Sequence, residues 1–110
     1  MAVADATSLS IRRVLRADDQ LSLVVTGVLA MGTAHELEAA LADELAEHAR
    51  ILLDLGEVTF MDSCGIRVIM RALKLAQSHG WDFAIRDTMP DQVRRLLHVT
   101  GIGPFLPLAA

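Results

Sequence analysis

The amino-acid sequence predicts an α/β fold, a single domain in which helices pack on a mixed central sheet in the order β-β-α-β-α-β-α-β. Segments with the two-residue hydrophobic period of strands alternate with segments that have the helical period. Residues 51–55 are almost continuously apolar, which is typical of a strand covered on both faces. With 110 residues, 53% of them hydrophobic, the chain suffices for one core but not for two. We therefore expect one domain over residues 1–110, with residues 1–8 as a flexible N-terminus.

The first two strands are predicted to form a β-hairpin. Residues 10–16 alternate between apolar and arginine side chains, which indicates an edge strand. Asp18 and Asp19 supply a turn, and residues 21–27 follow with the alternation of a half-buried strand. We expect this second strand to end at Gly27.

The first helix is predicted to begin at Thr33. The Thr33 hydroxyl is suited to cap the first turn, and Glu36, three residues later, completes the pattern of a capping box. Leucines recur at helical spacing at positions 37, 41 and 45 and predict the buried face. The rest of the helix is acidic, which we interpret as a solvated face. Its acidic residues are Glu36, Glu38, Asp43, Glu44 and Glu47.

The central strand, residues 51–55, is expected to end at Gly56 and Glu57. Asp54 within it is costly to bury unless it is hydrogen-bonded, so we expect its carboxylate to accept hydrogen bonds from a neighbouring loop. A catalytic role for Asp54 is less favoured, because no partner base is evident. The pattern then turns helical from Cys64 and is expected to stop at Gly80.

The C-terminal part predicts one more strand, a short helix and a last strand. Residues 81–86 alternate as a strand does, and Pro90 is suited to open a helix. Thr100 and Gly101 close that helix, and residues 105–108 indicate a short final strand.

Composition limits the classes of function. The net charge of −4 argues against nucleic-acid binding, because phosphate contacts need clustered Lys and Arg. One cysteine cannot form an internal disulfide, which fits a reducing cytoplasm. The sequence has neither a stretch long enough for a membrane span nor a secretion signal, so we expect no direct membrane insertion. The histidines and the cysteine lack metal-ligand spacing, and we expect no metal and no cofactor.

Residues 58–65, with the sequence VTFMDSCG, are the most informative segment, because a buried strand there gives way to a helix. Asp62, Ser63 and Cys64 fall on the first helical turn, where free N–H groups and the helix dipole favour an anion. Gly65 permits close approach to the backbone. The turn is therefore the candidate site for chemistry, for a small ligand or for a regulated contact.

Catalysis at Cys64 has little support in the sequence. A cysteine phosphatase needs an arginine six positions after the cysteine, and Met70 occupies that position. A cysteine hydrolase needs a histidine base oriented by a third group, and no spacing selects one of the four histidines. Glycine motifs for nucleotides are absent. We expect a protein that is not an enzyme, in which Cys64 is either a small residue tolerated in a crowded turn or a thiol open to oxidation.

Residues 51–69 resemble the central signature of the STAS domain, and especially that of the bacterial anti-sigma factor antagonists. The signature is an apolar strand with Asp, followed by apolar-x-Phe-apolar-Asp-Ser-Ser-Gly-apolar. Residues 27–29, Gly-Val-Leu, are similar to the family's Gly-x-Leu-Asp, and residues 93–101 are similar to its late helix ending in Thr-Gly-Leu. The predicted order of strands and helices also agrees with the STAS fold.

The resemblance implies a regulator of transcription that binds an anti-sigma factor of the serine-kinase type and releases the sigma factor. In that family the kinase phosphorylates the serine before the glycine, and the added charge breaks the complex. That position is Cys64 here, with Ser63 beside it as the alternative and as the more natural helix cap. The aspartate expected after Leu29 is Ala30. We therefore hypothesise a member without phosphorylation control, either always competent to bind or switched by oxidation of Cys64.

The resemblance also implies where a partner binds and which alternatives stay open. The contact surface is expected to comprise the turn and the exposed face of the following helix, namely Asp62, Ser63, Cys64, Gly65, Arg67, Arg71 and Lys74. A homodimer is possible, and the expected location is cytoplasmic. One alternative is a STAS subunit of a lipid- or anion-transport complex or of a stressosome. Another is a nucleotide-binding STAS domain with phosphate at the Ser63 helix start.

Overall fold

The computed structural model describes residues 8–48 and 50–109, which form five strands, three α-helices and two short 3-10 helices. The elements, in chain order, are β1 (Leu9–Leu15), a 3-10 helix (Ala17–Asp19), β2 (Gln20–Leu29), α1 (Ala34–Glu47), β3 (Arg50–Met61), α2 (Ser63–His79), β4 (Asp82–Arg86), α3 (Asp91–Val99), a 3-10 helix (Gly103–Phe105) and β5 (Leu108–Ala109). The sheet has the spatial order β1-β2-β3-β4-β5. β1 and β2 are antiparallel and the other neighbouring pairs are parallel, so the predicted mixed sheet and the hairpin are confirmed.

A single hydrophobic core joins the sheet to all three helices. The predicted leucine face of α1 is confirmed, because Leu37, Leu41 and Leu45 are almost completely buried. These side chains pack with those of the sheet and with the buried face of α2, which includes Ile66, Ile69 and Leu73. The largest fully buried side chains are Leu21, Leu23, Leu29, Leu37, Leu41, Leu45, Ile51, Leu53, Leu55, Met61, Ile69 and Ile85.

Strands β2 and β3 are longer than predicted. β2 continues past Gly27 to Leu29, and β3 continues past Gly56 to Met61. The extra length is possible because the β2–β3 register shifts between Val24 and Thr26 and again after Gly27. Gly27 has a φ of +101°, and a Cβ there would clash with the Ser8 carbonyl oxygen, so the glycine is a bend within the strand and not its end.

Asp54 is a hydrogen-bond acceptor, as predicted, but its donors are not in a neighbouring loop. Its Oδ1 accepts from the Gly56 backbone N–H at 2.8 Å, and its Oδ2 accepts from Arg86 Nη1 on β4 at 3.2 Å. The carboxylate therefore stabilises the irregular part of β3 and links it to the next strand.

The acidic face of α1 is not wholly solvated, because Glu44 is buried. Arg13 on β1 reaches Glu44 and donates a hydrogen bond from Nε to its carboxylate. This hydrogen bond, together with the charge of Glu44, raises the pKa of Arg13 above its usual value. A paired and hydrogen-bonded carboxylate is the form in which a buried glutamate is tolerated.

Two further details of the prediction are wrong. The Thr33 side chain does not cap α1, because its hydroxyl accepts from the Ala30 N–H at 3.0 Å and donates to the Val28 carbonyl at 2.7 Å. The last strand is Leu108–Ala109, since Gly103–Phe105 forms a 3-10 helix with Pro104 in its first turn. The expected flexible N-terminus falls mostly on residues 1–7, which lie outside the described residues.

Leu53 tests the core, because it is fully buried in β3 between Leu23 and Ile85. Leu53→Ala leaves a cavity and should lower the free energy of unfolding by about 2–5 kcal/mol. Leu15→Ala is the control, because Leu15 is 65% exposed, and it should change that value by less than about 0.5 kcal/mol. Urea unfolding of both variants checks this; equal effects would contradict the assignment of the core.

Candidate functional site

Asp62 connects the end of β3 to the start of α2. Its backbone is extended, with φ −119° and ψ −169°, as an N-cap residue requires. Its Oδ1 accepts from the Cys64 backbone N–H at 2.8 Å, and its Oδ2 accepts from the Met31 backbone N–H at 3.1 Å. One carboxylate therefore fixes both the first turn of α2 and the loop that follows β2.

Ser63 is the first residue of α2 and not its cap, which corrects the sequence-based expectation. The cap is Asp62, because its carboxylate is placed to accept from a helix N–H group. The Ser63 side chain is exposed. Its hydroxyl is therefore the accessible one on this turn.

Cys64 is half-buried and packs partly against the hydrophobic core. Gly65 beside it is buried against the ends of β2 and β3. A Cβ on Gly65 would lie 2.7 Å from Met61 Cγ and 2.9 Å from the Leu29 carbonyl oxygen. The predicted close backbone approach at Gly65 is therefore observed, and α2 sits directly on the two strand ends.

The positive end of the α2 dipole already faces a carboxylate. Asp62 accepts from the Cys64 N–H through its side chain and from the Gly65 N–H, at 3.1 Å, through its carbonyl. Groups that would otherwise attract a free anion are thus engaged within the chain. Because these N–H groups are already hydrogen-bonded to Asp62, the geometry gives no support to phosphate binding at the start of α2.

Three basic residues continue from the turn along the solvent side of α2. Arg67, Arg71 and Lys74 are all exposed and follow the spacing of one helical face. Arg71 Nη1 lies 2.8 Å from Glu38 Oε2 on α1, so part of its charge is compensated. Together with Met70, Leu73 and Gln77, this basic row borders a shallow cavity of about 270 Å³.

Gln92 is a residue of this region that the sequence did not reveal. From α3, its Oε1 accepts from the Met61 N–H and its Nε2 donates to the Met61 carbonyl, both at 2.9 Å. The side chain thus bonds to the end of β3 as a neighbouring strand would. No motif marks such a glutamine, because its role depends only on the placement of α3.

The exposure of Met31 and Phe60 was not evident from the sequence, although Phe60 belongs to the signature segment. Both are apolar, yet they are 83% and 46% exposed. Met31 follows β2, and Phe60 is the penultimate residue of β3, so both lie at the strand ends that carry Asp62. Apolar periodicity assigned them to no face, because periodicity does not distinguish a buried apolar residue from an exposed one at a strand end.

Possible metal ligands in the described segments come together away from the turn. Glu44, Glu47 and His48 place ligand atoms within 4.8 Å of one another at the C-terminal end of α1. Arg13 already pairs with Glu44, and His48 Nδ1 lies 3.5 Å from Asp19 Oδ1. Within the described residues, no such group of ligand atoms is found at the turn that carries Asp62.

The family model described as "Mlab, STAS domain" matches residues 13–107. The chain belongs to the STAS domain family. One relative is the candidate anti-sigma factor antagonist BtrV of Bordetella bronchiseptica, 28% identical over 93 residues, 84% of this chain and 79% of the relative. Another is the anti-sigma F factor antagonist of Paenibacillus polymyxa, 34% identical over 73 residues, 66% of this chain and 60% of the relative. The predicted resemblance to anti-sigma factor antagonists is confirmed.

Solved structures of the same kind share the fold. An anti-sigma factor antagonist from Mycobacterium paratuberculosis has a TM-score of 0.83 at 23% identity, covering 96% of this chain and 89% of that one. A candidate antagonist from Thermotoga maritima has a TM-score of 0.78 at 26% identity, covering 89% and 84%. Unphosphorylated SpoIIAA, at 16% identity, has a TM-score of 0.74 and covers 92% and 89%. These matches confirm the predicted fold class.

None of the helices described here is both long and apolar enough to cross a membrane.

Gly65→Ala tests the close contact between α2 and the strand ends. The added methyl group meets the backbone of Leu29 and the side chain of Met61, so the free energy of unfolding should fall by about 1–3 kcal/mol. Gly103→Ala is the control, because a Cβ there has only an ordinary contact at 3.9 Å, and its effect should stay within about 0.5 kcal/mol. Urea unfolding measures both, and equal stabilities would show that α2 does not rest on the strand ends as described.

Proposed function

We propose that this chain is an anti-sigma factor antagonist, a non-catalytic module that sequesters an anti-sigma factor and thereby frees a sigma factor. The observation that carries the proposal is the turn at Asp62, which presents an exposed Ser63 and a half-buried Cys64 at the start of α2. The turn coincides with the signature of a family in which both relatives described above are named as such antagonists.

The proposed partner is an anti-sigma factor of the serine-kinase type. The proposed contact surface is the turn together with the basic row, that is Asp62, Ser63, Cys64, Gly65, Arg67, Arg71 and Lys74. Gly65 contributes by allowing the close approach of α2 and not by direct contact, because it is buried. The Ser63 hydroxyl and the side chains of Arg67 and Lys74 are exposed. Arg71 is exposed as well but is paired with Glu38, and the Asp62 carboxylate is bonded within the chain.

The proposal includes the absence of an enzymatic activity. A cysteine nucleophile needs an adjacent base, and among the described residues no histidine is hydrogen-bonded to Cys64. His35, His48 and His98 lie outside α2, and His79 lies at the opposite end of α2 from Cys64. A partner that acts on transcription also implies a cytoplasmic location. The proposal treats residues 1–110 as one STAS domain and leaves room for a homodimer.

Regulation is proposed to differ from the family's phosphorylation switch. Cys64 stands where the phosphorylated serine is expected, and a serine kinase has no hydroxyl to modify there. The chain is then either always competent to bind or switched by oxidation of the Cys64 thiol. The transport-complex or stressosome alternative is not favoured, since both relatives described above carry the name of anti-sigma factor antagonists.

Substitutions at Cys64 test the binding function. Cys64→Asp places a charge at a half-buried contact position and should reduce the affinity for a purified serine-kinase-type anti-sigma factor at least about 100-fold. Cys64→Ser is nearly isosteric and should keep the affinity within about threefold. Isothermal titration calorimetry gives both values, under reducing and oxidising conditions. If wild type binds neither under reducing nor under oxidising conditions, the proposed function is wrong.

The same kinase-type partner tests the regulation. Incubation with ATP should leave wild type unmodified and should phosphorylate Cys64→Ser, because the substitution restores the hydroxyl at the signature position. Intact-protein mass spectrometry detects the added phosphate. Ser63→Ala in the Cys64→Ser background identifies the modified residue. Stoichiometric phosphate on Ser63 of wild type would overturn the proposal of a member without phosphorylation control.

A further inference from the structure

We infer that Met31 and Phe60 are apolar anchors for the partner, and that the partner offers them an apolar pocket bordered by acidic side chains. The inference rests on the proposed function and specifies the chemistry of the surface that this chain recognises. Met31 and Phe60 together are called the anchor pair below.

Exposure is the first argument for the anchor pair. Large apolar side chains are normally buried, and exposing them to water costs free energy that a partner can recover. Scattered exposed apolar residues are ordinary on a protein surface. Met31 and Phe60 are not scattered, because they flank Asp62 at the ends of the paired strands β2 and β3. Aromatic residues and Met are enriched in the buried centres of interfaces.

The backbone that carries the anchor pair is fixed before a partner arrives. Met31 donates its N–H to Asp62, and the preceding Ala30 is bonded to Thr33. Phe60 is paired with Val28 in the sheet, and the next residue, Met61, is hydrogen-bonded to Gln92. Ordering of interface segments is one of the main costs of association, so a preformed pair of anchors favours binding.

Charge defines the border of the partner's pocket. Every charged residue within α2 is basic, although the whole chain has a net charge of −4. Arg67 is the basic residue nearest in sequence to the turn, and Lys74 lies two turns further along the same face. The basic row continues along α2 from the turn that the anchor pair flanks, and it belongs to the same proposed contact surface. Acidic side chains on the partner would complement this row, steer association and fix its orientation.

A second apolar area serves as an internal comparison. Val99 and Phe105 are 74% and 71% exposed, and they lie at or beyond the C-terminal end of α3, opposite the end where Gln92 contacts Met61. A cavity of about 410 Å³ is lined nearby by Leu97, Leu106 and Leu108 among others. These residues have exposure similar to that of the anchor pair but no connection to the turn.

The experiment compares serine substitutions in the two areas. Met31→Ser and Phe60→Ser should each raise the Kd for a purified serine-kinase-type anti-sigma factor by about tenfold or more. Val99→Ser and Phe105→Ser should leave the Kd within about twofold of wild type. Circular dichroism and urea unfolding establish that all four variants are folded. The double variant Arg67→Gln/Lys74→Gln should weaken the dependence of Kd on salt between about 50 and about 300 mM NaCl.

Each outcome is decisive. Tenfold losses confined to the anchor pair support the inference, and a smaller salt dependence in the double variant supports the acidic border. Equal effects in the two areas, or no effect at the anchor pair while wild type binds, overturn the anchors but leave the proposed function intact. A salt dependence unchanged by the double variant overturns the acidic border. No binding by wild type overturns the proposed function and the inference together.

Discussion

The parallel pairing of β2 with β3 is the constraint on which the rest of the structure depends. Parallel strands end at the same edge of a sheet, so Leu29 and Met61 lie side by side and the segments after them meet. β3 has more residues than β2 over the paired stretch, and both strands reach this edge only because two register shifts accommodate the difference. Asp62 then converts the proximity of two backbone segments into a defined arrangement, since its carboxylate is hydrogen-bonded to both.

This arrangement fixes the backbone around position 64. The residue lies on the first turn of a helix that rests on the strand ends through Gly65, and its N–H is held by Asp62. A charge introduced there has little freedom to move away from a bound partner. Under the proposed function, a thiol at this position keeps nearly the size of the family's serine but offers a serine kinase no hydroxyl.

The sequence predicted the fold class and most elements because hydrophobic periodicity depends on local geometry. The leucine stripe of α1 and the stop at Gly80 are of this kind. It misplaced the ends of β2 and β3, because Gly27 and Gly56 are usual stop signals and the bulges that accommodate them depend on the neighbouring strand. It also missed Gln92 and the partner of Glu44, since both interactions join elements that are distant along the chain. The turn at Asp62 was predicted from a local motif. The hydrogen bond from the Met31 N–H to Asp62 was not predicted, because it joins residues 31 positions apart.

The contact between Gln92 and Met61 has a consequence for solubility. β4 pairs with β3 only along residues 50–53, so the last part of β3 has no strand on that side in the observed register. Unpaired strand edges are templates on which other chains add strands and aggregate. The amide of Gln92 occupies the donor and the acceptor of Met61 at the far end of this edge. A helix side chain therefore protects part of the sheet edge against strand addition by another chain.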